Sequence, residues 1–154
     1  MERKMVSEKL IEKVRKDFSA HLKRGNRRAT EQRYEVLNSI LEMEGHFGAE
    51  DLFVKMKNEG KKVSRATVYN TLELLFDLGV VSRHKVGNVF VYERAFGREH
   101  HDHLICVNCG AIIEFRSEEV EKIQDEICRK YKFKPIRHTH QIYGLCAKCA
   151  GEKK

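Results

Sequence analysis

Apolar residues recur at intervals of three and four through the first half of the chain, the spacing of α-helices that bury one face. Four helices are predicted from the following apolar stripes: Val6, Leu10, Val14 and Phe18; Val36, Leu37, Ile40 and Leu41; Leu52, Phe53 and Met56; and Val68, Leu72 and Leu75. Thr30 and Ser64 are suitable N-caps for the second and fourth helices, and Gly79 suits a left-handed stop after the fourth.

The helical spacing then gives way to two short strands, residues 80–86 and 88–93, joined by a tight turn at Gly87-Asn88. A helix, a helix–turn–helix and a β-hairpin, in this order, are typical of a winged helix–turn–helix. The helix from Ser64 to Leu78 would then lie in the major groove of DNA, with the hairpin as the wing. The order of elements alone leaves a generic helical bundle with solvated lysines as the alternative.

Beyond residue 99 the chain mixes strands with one helix, and most of its histidines and all of its cysteines lie there. We therefore predict an α+β protein with two domains. The N-terminal winged helix–turn–helix domain is expected over residues 1–94, a hinge that includes Gly97 over 95–99, and a small α/β domain over 100–154. These 154 residues are enough for two small domains.

Charge and cysteine content narrow the class of function. The formal net charge of +7 favours polyanions, nucleic acid above all. No apolar run approaches the roughly 18 residues needed to span a bilayer, and the charged N-terminus does not resemble a secretory signal. We therefore expect a cytoplasmic protein, in which thiols stay reduced and paired C-x-x-C motifs bind zinc more often than they form disulfides.

The cysteines form two such pairs, Cys106 with Cys109 and Cys146 with Cys149. Each pair lets two thiolates converge on one Zn²⁺ at about 2.3 Å, and two pairs complete a tetrahedron. Four thiolates without a carboxylate predict a closed, structural zinc site. Redox-active pairs are the alternative, but nothing around them resembles a thioredoxin βαβ unit.

A run of three histidines and one aspartate, His100-His101-Asp102-His103, leads into an apolar segment and is expected to be extended. Because side chains alternate along a strand, His101 and His103 would face one way, and His100 and Asp102 the other. The run could thereby serve two metal sites that need partners from elsewhere. The candidate partners are Glu93, Glu114, Glu121, His138 and His140. Two isolated histidines, His21 and His84, are expected to be structural or solvent-exposed.

Several stretches of the chain resemble the ferric uptake regulator family. They are Thr30-Glu31-Gln32-Arg33, HFGAEDL from His46, SRATVYNTLELLFDLGVV from Ser64, HHDHLICVNCGAIIEF from His100, and HQIYGLCAKC from His140. The resemblance implies a winged-helix DNA-binding domain, an α/β dimerisation domain, and a homodimeric repressor that binds palindromic operators when it is loaded with metal.

The resemblance also implies three sets of ligands. The structural zinc ligands would be Cys106, Cys109, Cys146 and Cys149. The regulatory site would comprise His46, Glu93, His101, His103 and Glu114. An additional site would comprise His100, Asp102, Glu121 and His138. Iron is the expected regulatory metal, with a zinc, manganese or peroxide sensor as the alternative. Peroxide sensors typically carry aspartates where this chain has Glu93 and Glu114, which makes that alternative the weaker one.

The expected DNA-binding residues are basic residues before the second helix and polar residues on the fourth: Lys23, Arg27, Arg65, Thr67, Tyr69 and Asn70. Iron regulators often carry an arginine where Asn70 follows Tyr69, so the bases read here are expected to differ. Two other classes of protein fit the sequence less well. A metallohydrolase lacks an HExxH or comparable signature here, and a zinc-ribbon RNA-binding module would need aromatic stacking platforms that are missing. We expect no enzymatic activity.

Overall fold

The computed structural model describes residues 7–151, which form two compact units that divide between Arg98 and Glu99. The α+β class predicted from the sequence is confirmed. The first unit contains α1 (Glu8–Arg24), α2 (Glu31–Glu42), β1 (Phe47–Gly48), α3 (Ala49–Asn58), α4 (Arg65–Asp77), β2 (Val81–Val86) and β3 (Val89–Arg94). The second contains β4 (Asp102–Cys106), β5 (Ile112–Phe115), α5 (Glu118–Lys130) and β6 (Gln141–Gly144).

The core of the first unit is made by one apolar face from each of the four helices. One fully buried residue from each is Phe18, Leu37, Leu52 and Leu72. Burial of each such side chain stabilises the fold by about 1.5–3 kcal/mol relative to leaving it in water. The helices therefore pack with their predicted apolar stripes against one another. The buried stripe of α1 includes Val14 and Phe18, as predicted, and continues to Leu22, while the predicted stripe residue Val6 lies outside the described residues.

Of the two predicted N-caps, only Ser64 makes a capping hydrogen bond with its side chain. Ser64 Oγ accepts a hydrogen bond of 3.1 Å from the Thr67 backbone N–H, which caps α4 as expected. Thr30 precedes α2 in an extended conformation, but its side chain makes no capping hydrogen bond. Gly79 follows α4 at φ 74°, a left-handed conformation that other residues adopt at a cost.

The predicted hairpin of β2 and β3 is present, and β1 extends it to a three-stranded antiparallel sheet in the order β1-β3-β2. Phe47 and Gly48 of β1 pair with Tyr92 and Val91 of β3. A strand of two residues is too short to leave a periodic pattern, so the sequence did not predict β1. The addition of β1 makes β3 the central strand of the sheet.

The second unit is a three-stranded sheet in the order β5-β4-β6, with α5 on the connection between β5 and β6. β4 pairs antiparallel with β5 and parallel with β6. One face of the sheet carries a row of exposed apolar side chains, Ile113, Leu104 and Ile142, which lie opposite one another on the three strands. No helix in the described part of the chain is long and apolar enough to cross a membrane.

Candidate metal centres and DNA-binding surface

Four cysteines converge where β4 ends and where the turn after β6 begins. Their four Sγ atoms all lie within 4.8 Å of one another, and Cys109 Sγ lies 3.7 Å from Cys146 Sγ. Four sulfur atoms at about 2.3 Å from a tetrahedral Zn²⁺ lie about 3.8 Å apart, so the thiols already have the spacing of zinc ligands. Gly110, at φ 74°, closes the first turn by donating its N–H to the Cys106 carbonyl at 3.0 Å.

The ionisation of these thiols is unequal. Backbone N–H groups of Cys109 and Cys146 lower the pKa of Cys106 to about 6. The Asn108 side chain lowers the pKa of Cys149, but hydrogen bonds with the three neighbouring thiols and burial together outweigh this effect and raise that pKa to about 11. Four thiols this close cannot all ionise beside one another without a cation. A divalent ion at their centre is the group that would allow it.

A second cluster lies in the same unit and contains His100, Asp102, Glu121 and His138. The Nε2 atoms of His100 and His138 are 2.8 Å apart, and His100 Nε2 lies 3.3 Å from Asp102 Oδ1 and 3.2 Å from Glu121 Oε1. Both carboxylate oxygens of Asp102 are buried and have no hydrogen-bond partner among the described residues. An ionised carboxylate is costly to bury in this way, whereas a bound cation would offset the cost, so this cluster fits a metal ion.

The alternation predicted for the histidine run is present in the geometry. The rings of His101 and His103 lie 5.0 Å apart, and Glu114 of β5 pairs in register with His103. His101 Nε2 lies 3.8 Å from Glu114 Oε1. A hydrogen bond of 2.9 Å joins His101 Nδ1 to the Glu99 carbonyl and orients the ring so that Nε2 lies on the side of Glu114.

The first unit holds a further group of donors at the base of the hairpin. Glu93 on β3 is buried, and its carboxylate lies 3.5 Å from His46 Nε2 and 2.7 Å from His84 Nε2. Ser82 Oγ donates to it at 3.1 Å, and the Arg98 guanidinium lies 3.2 Å from its second oxygen. His46 and Glu93 are predicted metal ligands from the sequence analysis. His84 is not among the predicted ligands, because a single histidine on a strand cannot be recognised as a ligand until its neighbours across the sheet are known.

The proposed DNA-binding residues lie at separate places on the first unit. Lys23 and Arg27 are exposed at and just after the end of α1, and Tyr69 and Asn70 are exposed on α4. Arg65 at the start of α4 is exposed but forms hydrogen bonds of 2.8–3.1 Å with the Glu50 carboxylate. Thr67 is half-buried, and its Oγ1 lies 2.9 Å from Ser64 Oγ.

Comparison with known proteins identifies the chain. The model of the Ferric uptake regulator family matches residues 24–143. The ferric uptake regulation protein of Shigella flexneri is 37% identical over 133 residues, which cover 85% of this chain and 89% of that protein. The chain belongs to the ferric uptake regulator family. The ferric uptake regulation protein of Campylobacter jejuni is 34% identical over 151 residues, 94% of this chain and 96% of the relative.

The fold of this family extends over both units. The ferric uptake regulator of Helicobacter pylori, a structure described as having three functional metal binding sites, shares 29% identity at a TM-score of 0.73 and covers 97% of each chain. Membership makes this chain a metal-dependent transcriptional regulator and not an enzyme. The resemblance stated from the motifs is thereby confirmed.

Proposed function

We propose that this ferric uptake regulator family member is an iron-responsive repressor that binds palindromic operators as a metal-loaded homodimer. The observation that carries the proposal is the division of the regulatory donors between two units. His46 and Glu93 lie close together in the first unit. His101, His103 and Glu114 share a face of the second. Neither of these sets completes the five-ligand site by itself.

One regulatory ion that takes ligands from both sets fixes the angle between the DNA-binding domain and the dimerisation domain. We infer that metal shifts the population toward the arrangement in which one ion binds donors from both domains. In a dimer that arrangement sets the distance between two recognition helices on DNA. A coupling of roughly 1–3 kcal/mol changes operator affinity by about 5–150-fold. The hinge for this movement is residues 95–99, between domains of residues 1–94 and 100–154.

The structural and additional sites have other roles in the proposal. Zn²⁺ on the four cysteines stabilises the dimerisation domain. The cluster of His100, Asp102, Glu121 and His138 holds a second divalent ion that ties the start of β4 to α5 and to the segment after it. We propose iron as the regulatory metal because the relatives from Shigella flexneri and Campylobacter jejuni are ferric uptake regulation proteins. Mixed imidazole and carboxylate donors accept Mn²⁺ and Zn²⁺ as well, so ligand type does not exclude these ions.

A homodimer is supported by the exposed apolar surface of the second unit. None of the thirteen residues of α5 is buried, and Ile123, Ile127 and the C-cap Tyr131 are exposed apolar residues at intervals of four, the spacing of one helix face. A helix of this length is only marginally stable in water without packing. The exposed sheet row of Ile113, Leu104 and Ile142 adds a second apolar surface in the same unit. A second copy of the chain is the partner that could cover both.

The test of the metal is operator binding measured at buffered free concentrations of Fe²⁺, Mn²⁺, Zn²⁺ and Ni²⁺. For each metal, we compare the free concentration at which the operator duplex is bound with the free concentration of that metal in the cytoplasm. We expect this ratio to be lowest for Fe²⁺. A response to Zn²⁺ alone would replace iron by zinc sensing, and binding that does not depend on metal would contradict the proposal. A cytoplasmic location is expected, since the four thiols must stay reduced to bind zinc.

The residues proposed to contact DNA should separate into two classes. Tyr69→Ala and Asn70→Ala should lose discrimination between operator and unrelated duplex, because a base contact contributes about 1–3 kcal/mol of discrimination. Lys23→Ala and Arg27→Ala should weaken binding to all duplexes similarly and should reduce its dependence on salt. Binding isotherms on both duplexes at two salt concentrations measure this. A uniform loss for the α4 variants would exclude α4 as the recognition helix.

A further inference from the structure

The base of the hairpin brings together three side chains of types that bind metals, whereas the proposed five-ligand site uses only two of them. His84 lies on β2, Glu93 on β3, and His46 immediately before β1. One ligand atom from each lies within 4.8 Å of the others. His84 and Glu93 are both about 97% buried, so the pair is held away from water. A role for this third side chain, His84, in metal binding rests on the proposed function, in which His46 and Glu93 hold the regulatory ion.

The sheet register explains why the three side chains converge. In the order β1-β3-β2, the central strand β3 carries Glu93 directly opposite Ser82 of β2. His84 lies two residues from Ser82, and therefore on the same face, in a diagonal position from which a long side chain reaches Glu93. Phe47 pairs with Tyr92, so the residue before β1, His46, comes level with Glu93 on the other edge. The carboxylate thus lies between a histidine from each neighbouring strand.

The distances suit ligands of one ion. Two donors at right angles, each about 2.1 Å from a divalent metal, lie about 3 Å apart. The carboxylate-to-imidazole distances of 2.7 Å for His84 and 3.5 Å for His46 lie on either side of that value. The rings of His46 and His84 are 5.7 Å apart, which leaves room for an ion between them. The Arg98 guanidinium at 3.2 Å shows that Glu93 already attracts positive charge there.

We propose that His84 is a direct ligand of the regulatory ion, so that the DNA-binding domain supplies three donors, His46, His84 and Glu93. The ion then joins all three strands of the hairpin sheet at its base. Metal binding thereby fixes the wing within its own domain, in addition to closing the hinge. The other role open to His84 is to orient the Glu93 carboxylate by a hydrogen bond without touching the ion, and substitutions separate the two roles.

Metal affinity of the full chain, with the structural cysteines already filled by Zn²⁺, provides the first measurement. His84→Gln keeps an N–H donor for Glu93 but lacks the imidazole. For a direct ligand, both His84→Ala and His84→Gln should weaken Co²⁺ binding beyond the 10–100-fold typical of residues that only orient a ligand. Lys85→Ala is the matched control, because Lys85 is the next residue on β2 and is exposed. Wild-type Co²⁺ affinity in His84→Gln would overturn the proposal.

Substitution with cysteine provides a positive signal. In His84→Cys, a thiolate within reach of the ion should add a sulfur-to-cobalt charge-transfer band in the near ultraviolet, which the wild type with zinc-filled cysteines lacks. The additional site is the same in every variant, so the difference spectrum reports only the changed position. No new band in a folded, Co²⁺-loaded His84→Cys would also overturn the proposal. His46→Ala distinguishes failure of the His84 proposal from failure of the proposed regulatory site. If His46→Ala also keeps wild-type Co²⁺ affinity, the regulatory site itself is wrong.

Discussion

Replacing His46 with alanine should leave the protein folded and zinc-loaded but remove most of its metal-dependent gain in operator affinity. His46 Nε2 lies 3.5 Å from the Glu93 carboxylate in the first unit. In the proposed site, its substitution removes one bond to the regulatory ion while all four thiols remain. The lost gain should approach the whole coupling, about 5–150-fold in operator affinity. Titration of operator binding with Fe²⁺ or Mn²⁺ measures it, alongside zinc content and sedimentation to establish the dimer.

Two further variants test the same ion from the dimerisation domain. His101→Ala and His103→Ala should behave like His46→Ala, because their rings share one face near Glu114. His100→Ala is the matched control from the same four-residue run. Its ring lies instead with Asp102 and His138, so its effect on operator binding should be milder. If all three unfolded the protein, the histidine run would be structural and the sensing role would be wrong.

The pH dependence of operator binding should agree with these variants. Protons compete with metal for imidazole nitrogen, so a lower pH should raise the metal concentration at which the wild type binds its operator. Excess metal should restore binding if the protein stays folded. A midpoint that does not move with pH between about 6 and 8, the range around the usual imidazole pKa, would contradict histidine ligation.

Replacing Cys106 or Cys146 with serine should have the largest effect on stability. Structural zinc sites contribute an apparent free energy of about 10–16 kcal/mol at neutral pH. Small domains unfold at a cost of only about 5–15 kcal/mol, so the dimerisation domain should not stay folded without its zinc. Metal analysis, circular dichroism and the oligomeric state of each variant measure this. Full zinc content with unchanged dimer stability in either variant would exclude the four-cysteine site.

Cys128 provides the matched control for these variants. It is the only one of the five cysteines outside the four-thiol cluster, and it is half-buried on α5. Cys128→Ser should therefore keep its zinc and its dimer. The comparison also separates loss of a ligand from the general effect of replacing sulfur by oxygen.

The fold was predictable wherever local chemistry decides it. Apolar stripes on four helices, the N-cap at Ser64 and the glycine stop at Gly79 all appear in the structure. These signals act between residues a few positions apart, so the sequence contains them directly. β1 was not predictable in this way, since two residues form a strand only because β3 is beside them.

The candidate sites also differ in whether local sequence or tertiary structure brings their residues together. Spacing alone predicted the four-cysteine cluster, because a C-x-x-C turn brings its own two thiols together and four thiolates suit one tetrahedral Zn²⁺. The structure places the four Sγ atoms within 4.8 Å of one another. The alternation of the histidine run likewise follows from strand geometry. Which carboxylates accompany each histidine is a different matter, since Glu121 and His138 meet His100 only through folding.

His84 shows most clearly what the tertiary structure alone decided. In the sequence it is a single histidine on a strand, and such a residue is more often structural than a ligand. Its place beside Glu93 depends on the register of β2 against β3, and that of His46 depends on β1. Sequence determined the residue types and the elements that carry them. Pairing across the sheet determined which of these donors lie close enough to share one ion, because register links residues that lie far apart in the chain.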